Sequence, residues 1–398
     1  MRVLILAATT GGGHMRAADA LKEYILSQDE NAEIKIEDVI EYISPFVNKA
    51  VTGGYVYMAK NTPTMYGTFY KSIDDENSPV NRTVEMVTVS FKKRLMPLIE
   101  EFKPDIIVTT HSLATELYAS LKKLLGLKIP IISILTDFAI HQTYIYEGVD
   151  AYVVSSRKMV DDLVSRGVER VRVYPYGIPV KQEFYKEIDR LTAFESEGLD
   201  PELPTILIMA GSFGVTDILK IYHKIVKSPE DFQIIVITGK NEKLYDNFER
   251  YLKRITIKNT LAEINEIIKP NSKKRRRIAS KPTKLLYFTN EVEKYMHMAD
   301  LIVTKPGGLT VTEAISVGLP MAIFKAIPGQ EEQNADFLVN KNMAVRLEKD
   351  KTCTTMITRL LREPDRLDGM KKSIREFSKG NSAKNIYILM QELIDRNK

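Results

Sequence analysis

The chain has 398 residues, of which 44% are hydrophobic and 27% charged, with a formal net charge of +5 at pH 7. That length exceeds one ordinary domain and suits two of about 150–200 residues. The composition is that of a globular protein, no apolar run approaches the ~18–20 residues of a membrane span, and the only cysteine, Cys353, excludes an internal disulfide or a Cys-rich zinc site and fits a reducing cytosol.

The N-terminal apolar run could pass for a short signal peptide, but it leads into a glycine turn and an amphipathic pattern, so Val3–Ala7 is read as a first strand. A helix follows over His14–Gln28, and Ile34–Ile36 is a second strand. Residues 45–95 then break the rhythm. They are rich in Tyr, Phe and Met, and fit a core insertion, an apolar acceptor groove or a bilayer-facing surface. Residues 87–102 predict an amphipathic helix with Lys92, Lys93 and Arg94 beside Phe91, Leu95 and Met96. Short β-rich runs at Ile106–Thr109, Ile131–Leu135, Ala151–Val154 and Val171–Val173 alternate with helical patterns. Such alternation predicts a parallel, doubly wound sheet, which binds ligands at the carboxyl ends of its strands.

A linker is predicted around 181–204. A second series of strands follows at Ile206–Ala210, Ile234–Thr238, Lys284–Phe288, Asp300–Val303 and Met321–Phe324. The fold class is therefore α/β, with two doubly wound domains facing a cleft. The division is 1–180 and 205–377, and a helical segment over 378–398 is expected to cross back onto the first domain. Residues 269–284 hold eight Lys or Arg and no acid. This run suits either a solvated surface loop or contact with anionic lipid headgroups. Nucleic acid is not an expected partner, because no recognisable module or interleaved aromatics accompany the charge.

Residues 302–335 are the most informative stretch. An apolar run feeds a Lys305-Pro306-Gly307-Gly308 turn that opens a helix. Glycines at a strand-to-helix turn let a phosphate approach backbone N–H groups, where the helix N-terminus favours negative charge. One turn further, Glu313 can reach a ribose. The stretch suits a nucleotide diphosphate and the group attached to it. In the first domain, Gly11–Gly13 form a similar turn before His14. Asp137, His141 and His111 fall at comparable strand ends, where Asp137 could equally be a helix N-cap. His297 sits in a helical pattern and reads as structural.

Taken in order, RVLILAATTGGGH from residue 2, PDIIVTTHS at 104–112, ILTDFAIHQTYIYEGVD at 134–150, YGIPV at 176–180, ILIMAGSFGV at 206–215, TKPGGLTVTEA at 304–314 and PGQEEQNA at 328–335 resemble one family. It is the lipid-headgroup glycosyltransferases: the plant-type monogalactosyldiacylglycerol synthases and the bacterial processive diacylglycerol glucosyltransferases. They are relatives of the peptidoglycan UDP-N-acetylglucosamine transferase. The Thr-Gly-Gly-Gly-His turn leans to the plant type and the second domain to the bacterial type, which leaves the sugar open. The basic run at 269–284 is longer than the family pattern needs.

The resemblance implies the two-Rossmann-domain glycosyltransferase (GT-B) fold, with acceptor in the first domain and UDP-sugar in the second. It implies inverting transfer of glucose or galactose to diacylglycerol by a peripheral protein at the anionic cytoplasmic face of a membrane. His14 is the candidate base, with Asp137 as an alternative base or an orienting group, and His141 as a further candidate. His111, with Tyr55 and Tyr66 of the aromatic segment, is a candidate for the acceptor. For the donor it implies Gly12, Gly13, Gly211, Ser212 and Phe213 near the diphosphate, and Lys305, Gly307, Gly308, Leu309 and Thr310 around the second glycine turn. Glu313 is matched to the ribose, Gln330 and Glu331 to the hexose, and Phe288 and Thr289 to the uracil. No Asp-x-Asp occurs in the chain, so no essential metal and no cofactor are expected, with leaving-group charge met by helix N-termini and Lys305. Alternatives are transfer to another lipid carrier, such as a polyprenyl-linked acceptor, or a protein that senses UDP-sugars.

Overall fold

The computed structural model describes residues 1–9, 12–44, 68, 72, 91–209, 211, 218–268, 278–324, 326, 328–347 and 352–397. The first half contains β1 (Arg2–Ala7), α1 (Gly13–Gln28), β2 (Glu33–Asp38), α2 (Val39–Ile43), α3 (Met96–Phe102), β3 (Ile106–Thr109), α4 (Ser112–Leu125), β4 (Ile131–Ile134), β5 (Ala151–Val153), α5 (Arg157–Ser165) and β6 (Val173–Tyr174). Then come α6 (Arg190–Glu197), β7 (Thr205–Met209), α7 (Ile218–Ile225), β8 (Gln233–Ile237), α8 (Glu242–Ile268), β9 (Thr283–Leu286), α9 (Val292–Met298) and β10 (Leu301–Thr304). The chain ends with α10 (Gly308–Ser316), β11 (Met321–Phe324), α11 (Gln330–Asn340), β12 (Ala344–Leu347), α12 (Thr352–Arg362), α13 (Pro364–Phe377) and α14 (Ser382–Arg396).

The strands form two sheets of six, in the orders β2-β1-β3-β4-β5-β6 and β12-β11-β10-β7-β8-β9, with every neighbouring pair parallel. In each sheet the order reverses beside the first strand, β1 or β7, which places a crevice at the strands' carboxyl ends there. Strands with helices on both faces need apolar side chains on both sides. Val3 to Ala7, Ile106 to Val108 and Ile206 to Ile208 are accordingly fully buried.

Three boundaries differ from the sequence reading. Residues 170–172 form a 3-10 turn, so β6 starts at Val173 and keeps two residues. β12 was not foreseen, because its short run is interrupted by a charged residue, Arg346, which pairs with Glu332 and Asp336. The segment 181–204 carries a 3-10 turn and α6, and buries Phe184 and Phe194. In the expected amphipathic helix only residues from 91 on are described. They form a 3-10 turn at Lys92–Leu95 followed by α3.

The C-terminal region is two helices separated at Ser378–Asn381, where Gly380 adopts a left-handed φ of 66°. Past this break, Ala383, Ile386, Leu389, Met390 and Leu393 of α14 join a core cluster with Val3, Ile5 and Val108 of the first sheet. Another cluster joins Ala17, Phe138 and Ile178 to Leu309, Phe337 and Ile374. The two sheets therefore share apolar packing, with Phe138 stacked on Phe337 at 5.3 Å between ring centroids.

Candidate active site between the two sheets

Two glycine turns meet across the cleft. Gly12, with φ 70°, precedes α1, and Gly307 precedes α10. A Cβ added to Gly13 would lie 3.6 Å from Cβ of Leu309. One added to Gly308 would lie 1.9 Å from the carbonyl oxygen of Thr136 and 3.2 Å from Oδ1 of Asp137. Only glycine fits the latter position, because the clash is with backbone. Two helix N-termini thus face a common space, an arrangement that favours an anion.

His14 opens α1 and is held from behind. Its Nδ1 lies 2.6 Å from the carbonyl oxygen of Thr110 and 2.9 Å from Oγ1 of Thr136, while Thr110 Oγ1 donates to the His14 carbonyl at 3.1 Å. A carbonyl only accepts, so Nδ1 carries the hydrogen and Nε2 keeps its lone pair. Desolvation by burial lowers the His14 pKa to about 4, against a smaller opposing effect of the Thr110 bond. The ring is therefore neutral at pH 7. His111 packs edge-on to it at 4.7 Å. His111 Nδ1 accepts from the Leu113 N–H at 3.1 Å, capping α4. Burial and the neighbouring His14 push the His111 pKa well down. The pair consists of opposite tautomers, and His111 acts locally as a helix cap.

Asp137 is not an N-cap. It lies in the loop after β4, accepting from Nε2 of Gln330 and from Nδ2 of Asn334 at 3.0 Å. Burial raises its pKa to about 7, with both hydrogen bonds opposing and Glu331 adding to the rise. Asn334 is fully buried and links the domains further: its Oδ1 accepts from the Phe138 N–H at 2.9 Å and its Nδ2 also donates to the Pro306 carbonyl at 3.0 Å. Gln330 and Asn334 are four residues apart on α11 and so project from one face. His141 is buried and caps the turn at Gln142–Tyr144, its Nδ1 bonded to Thr143.

On the second-domain side, Glu313 sits one turn inside α10, 4% exposed. Its Oε1 is 3.5 Å from Nη1 of Arg16, on α1 across the cleft, and its Oε2 is buried without a hydrogen-bond partner. Burial raises its pKa, and Arg16 opposes the rise. A desolvated carboxylate oxygen lacking a donor is costly unless something supplies one. Lys305 approaches Glu331 at 3.8 Å. Leu309 and Thr310 are buried in the first turn of α10. Gly211, with φ 71°, follows β7 and approaches Gly239. Phe288 is exposed beneath Nζ of Lys240, and Thr289 Oγ1 accepts from the Glu291 N–H. Ser212, Phe213, Tyr55 and Tyr66 lie outside the described residues.

The structure thus gathers His14, His111, Asp137, Gly13, Gly308, Leu309 and Gln330 around one junction, with Glu313 just behind it. Asn334 and Arg16 were missed. The helical spacing from Gln330 signalled Asn334, whereas Arg16 carried no signal because its partner lies on another domain. A cavity of about 500 Å³ opens elsewhere, among Arg190, His297, Leu319 and Arg375, and includes none of these residues. Among the described residues no group of acidic, His or Cys side chains could hold a metal. None of the described helices is long and apolar enough to cross a membrane.

Residues 14–180 match the monogalactosyldiacylglycerol (MGDG) synthase family model, and residues 205–391 match the glycosyltransferase family 28 C-terminal domain. A processive diacylglycerol beta-glucosyltransferase of Bacillus licheniformis is 26% identical over 395 residues, covering 99% of this chain and 95% of that protein. Among solved structures, MurG of Acinetobacter baumannii is similar at a TM-score of 0.59 and 15% identity, covering 98% of this chain and 99% of its own. HepE of Anabaena, solved with UDP-glucose, is similar at 0.52 and 12% identity over the whole of both chains. Two parallel sheets with facing carboxyl edges form the GT-B fold. With both domain models in sequence along that fold, the chain joins a monogalactosyldiacylglycerol synthase domain to a glycosyltransferase family 28 C-terminal domain.

Proposed function

We propose that the protein is an inverting hexosyltransferase that moves glucose or galactose from a UDP-sugar to the free hydroxyl of diacylglycerol at the cytoplasmic face of a membrane. The observation that carries this reading is a neutral His14 whose Nδ1 is tied to Thr110, which leaves Nε2 its lone pair at the turn where Gly13 meets Leu309 of α10. In the transfer, the acceptor oxygen attacks the anomeric carbon as its proton passes to His14 Nε2. The bond from that carbon to the β-phosphate oxygen breaks, and UDP leaves with the electron pair. The α1 and α10 N-termini, with Lys305, offset its charge, so no metal is essential. The partnerless Oε2 of Glu313 suits a ribose hydroxyl as its missing donor. Gln330 and Glu331 border the hexose, and Asp137 positions Gln330. His111 keeps its Nε2–H for the acceptor side. Diacylglycerol is supported by the named activity of the relatives, and a UDP-sugar by the ligand of HepE.

The test supplies diacylglycerol in anionic liposomes with UDP-glucose and UDP-galactose in parallel, each with and without excess chelator. Glycosyldiacylglycerol formed at an undiminished rate in chelator is the expected result, and the preferred donor identifies the sugar. Failure with both donors would overturn the acceptor, and loss in chelator that Mg²⁺ or Mn²⁺ restores would overturn the metal-free chemistry.

A further inference from the structure

The crossover from β8 to β9 is far longer than the sheet requires. α8 spans 27 residues, or about 40 Å at 1.5 Å per residue, to join two short strands. The returning chain meets the helix before its end: Asn259 Oδ1 accepts from the Ile278 N–H at 2.9 Å and its Nδ2 donates to the Ile278 carbonyl at 3.0 Å. Residues 260–268 continue past that clasp.

This outer part of α8 is apolar on its solvent side. Ile257 is 60% exposed, Leu261 49%, Ile264 45% and Ile268 69%. Their spacing of i, i+4, i+7 and i+11 aligns them in one stripe, with Ile267 beside it. The helix's buried residues, Leu244, Phe248, Ile255 and Ala262, lie on the opposite face. Exposed Arg254 and Lys258 flank the stripe. Of the basic run that follows in sequence, Lys281 bonds the Glu230 carbonyl and approaches Asp231, and Lys284 pairs with Glu197, all on the body of the domain, while 269–277 lie outside the described residues.

We propose that the outer face of α8 docks on an anionic lipid bilayer and seats the second domain on the membrane surface. Aliphatic side chains between cations are the pattern of an in-plane interfacial helix. The charge selects the occupant. A second copy would set Arg254 and Lys258 against further cations of the same kind, which repel, whereas anionic headgroups attract each Lys or Arg near the surface by about fivefold in affinity. The inference deepens the preceding reading, since diacylglycerol resides in a bilayer, but it concerns a surface outside the transfer site.

The experiment is vesicle flotation with phosphatidylglycerol-containing and pure phosphatidylcholine liposomes, comparing the full chain with I257S/L261S/I264S/I268S. The expected result is anion-dependent binding that falls by at least about tenfold in the variant, with transfer to dioctanoylglycerol in solution unchanged. Equal binding by the two proteins would overturn the proposal, as would a variant whose only change is loss of self-association in sedimentation. The chain contains no tryptophan, so Leu261→Trp gives a second readout that leaves the stripe in place. Its emission should shift to the blue on phosphatidylglycerol vesicles, and an unshifted spectrum would overturn docking through this face. If no glycolipid forms under any condition while both results hold, the acceptor reading fails and the docking surface stands.

Discussion

On the first-domain side of the cleft, His14, His111 and Asp137 are each fixed by a hydrogen bond to Thr110, Leu113 or Asn334. On the second-domain side, Glu313 keeps one buried oxygen without a partner and shares the other with Arg16 at 3.5 Å. The same burial therefore has different consequences. The first side spends its polar groups on orienting a neutral imidazole. The second leaves a carboxylate under-satisfied, the state expected of a surface completed by a ligand. Under the function proposed above, preorganisation on one side would hold a base and an open valence on the other would capture a donor.

The largest effect that would test this division is on the base. His14→Ala should lower kcat by about a thousandfold, with UDP binding by calorimetry near wild type. A variant retaining a tenth of the activity would remove His14 from the chemistry. Next, Gly308→Ala puts a methyl group against the Thr136 carbonyl and must push the sheets apart. Turnover should fall about a hundredfold, the scale of an ångström misplacement, and small-angle scattering should show a wider molecule.

Glu313→Ala should weaken UDP-sugar binding by about tenfold, since the proposed contact of Oε2 with a ribose hydroxyl is lost, while thermal stability holds or rises because a buried, half-paired carboxylate is removed. Loss of stability with unchanged donor affinity would reverse the assignment of the open valence. Asn334→Ala should cost about 2 kcal/mol or more of stability by leaving Asp137 Oδ1 and the Phe138 N–H without their partner, measured by urea unfolding, and should also lower turnover.

The smallest effect is on pH dependence. Burial holds His14 near 4, below its ordinary 6.5. Between these values the unfolded chain binds the extra proton, so the His14 contribution to stability falls as pH drops. Asp137 is raised from 3.8 to about 7, so there the folded state binds the proton and stability rises as pH drops toward 4. The two slopes oppose. His14→Ala should expose the Asp137 slope, gaining stability relative to wild type from pH 6.5 to 4.5, and the acid limb of kcat/KM in the wild type should lie below 6.5. Parallel stability curves for the two proteins would break the burial argument.

The strand–helix alternation was legible because buried parallel strands need unbroken apolar runs, and Ile106–Thr109 and Met321–Phe324 form where their patterns end. The glycine turns at Gly12 and Gly307 were legible as strand-to-helix turns because a tight turn favours residues without side chains, though tight turns of this kind are common and name no ligand. β12 was not, since Arg346 interrupts its pattern. The alternative of an N-cap for Asp137 could not be decided locally for a related reason: its partners, Gln330 and Asn334, lie nearly 200 positions away.

By itself the sequence determined the two α/β domains, the glycine turns and the chemical types at the strand ends, because these follow from local periodicity and backbone freedom. Only the tertiary structure decided which of them meet. The pairing of Arg16 with Glu313, the Asn334 bridge and the tautomer of His14 each depend on atoms from separate elements approaching within hydrogen-bond or ion-pair range. The outward turn of the α8 stripe is of the same kind, since an apolar face is exposed or buried according to what the rest of the fold packs against it.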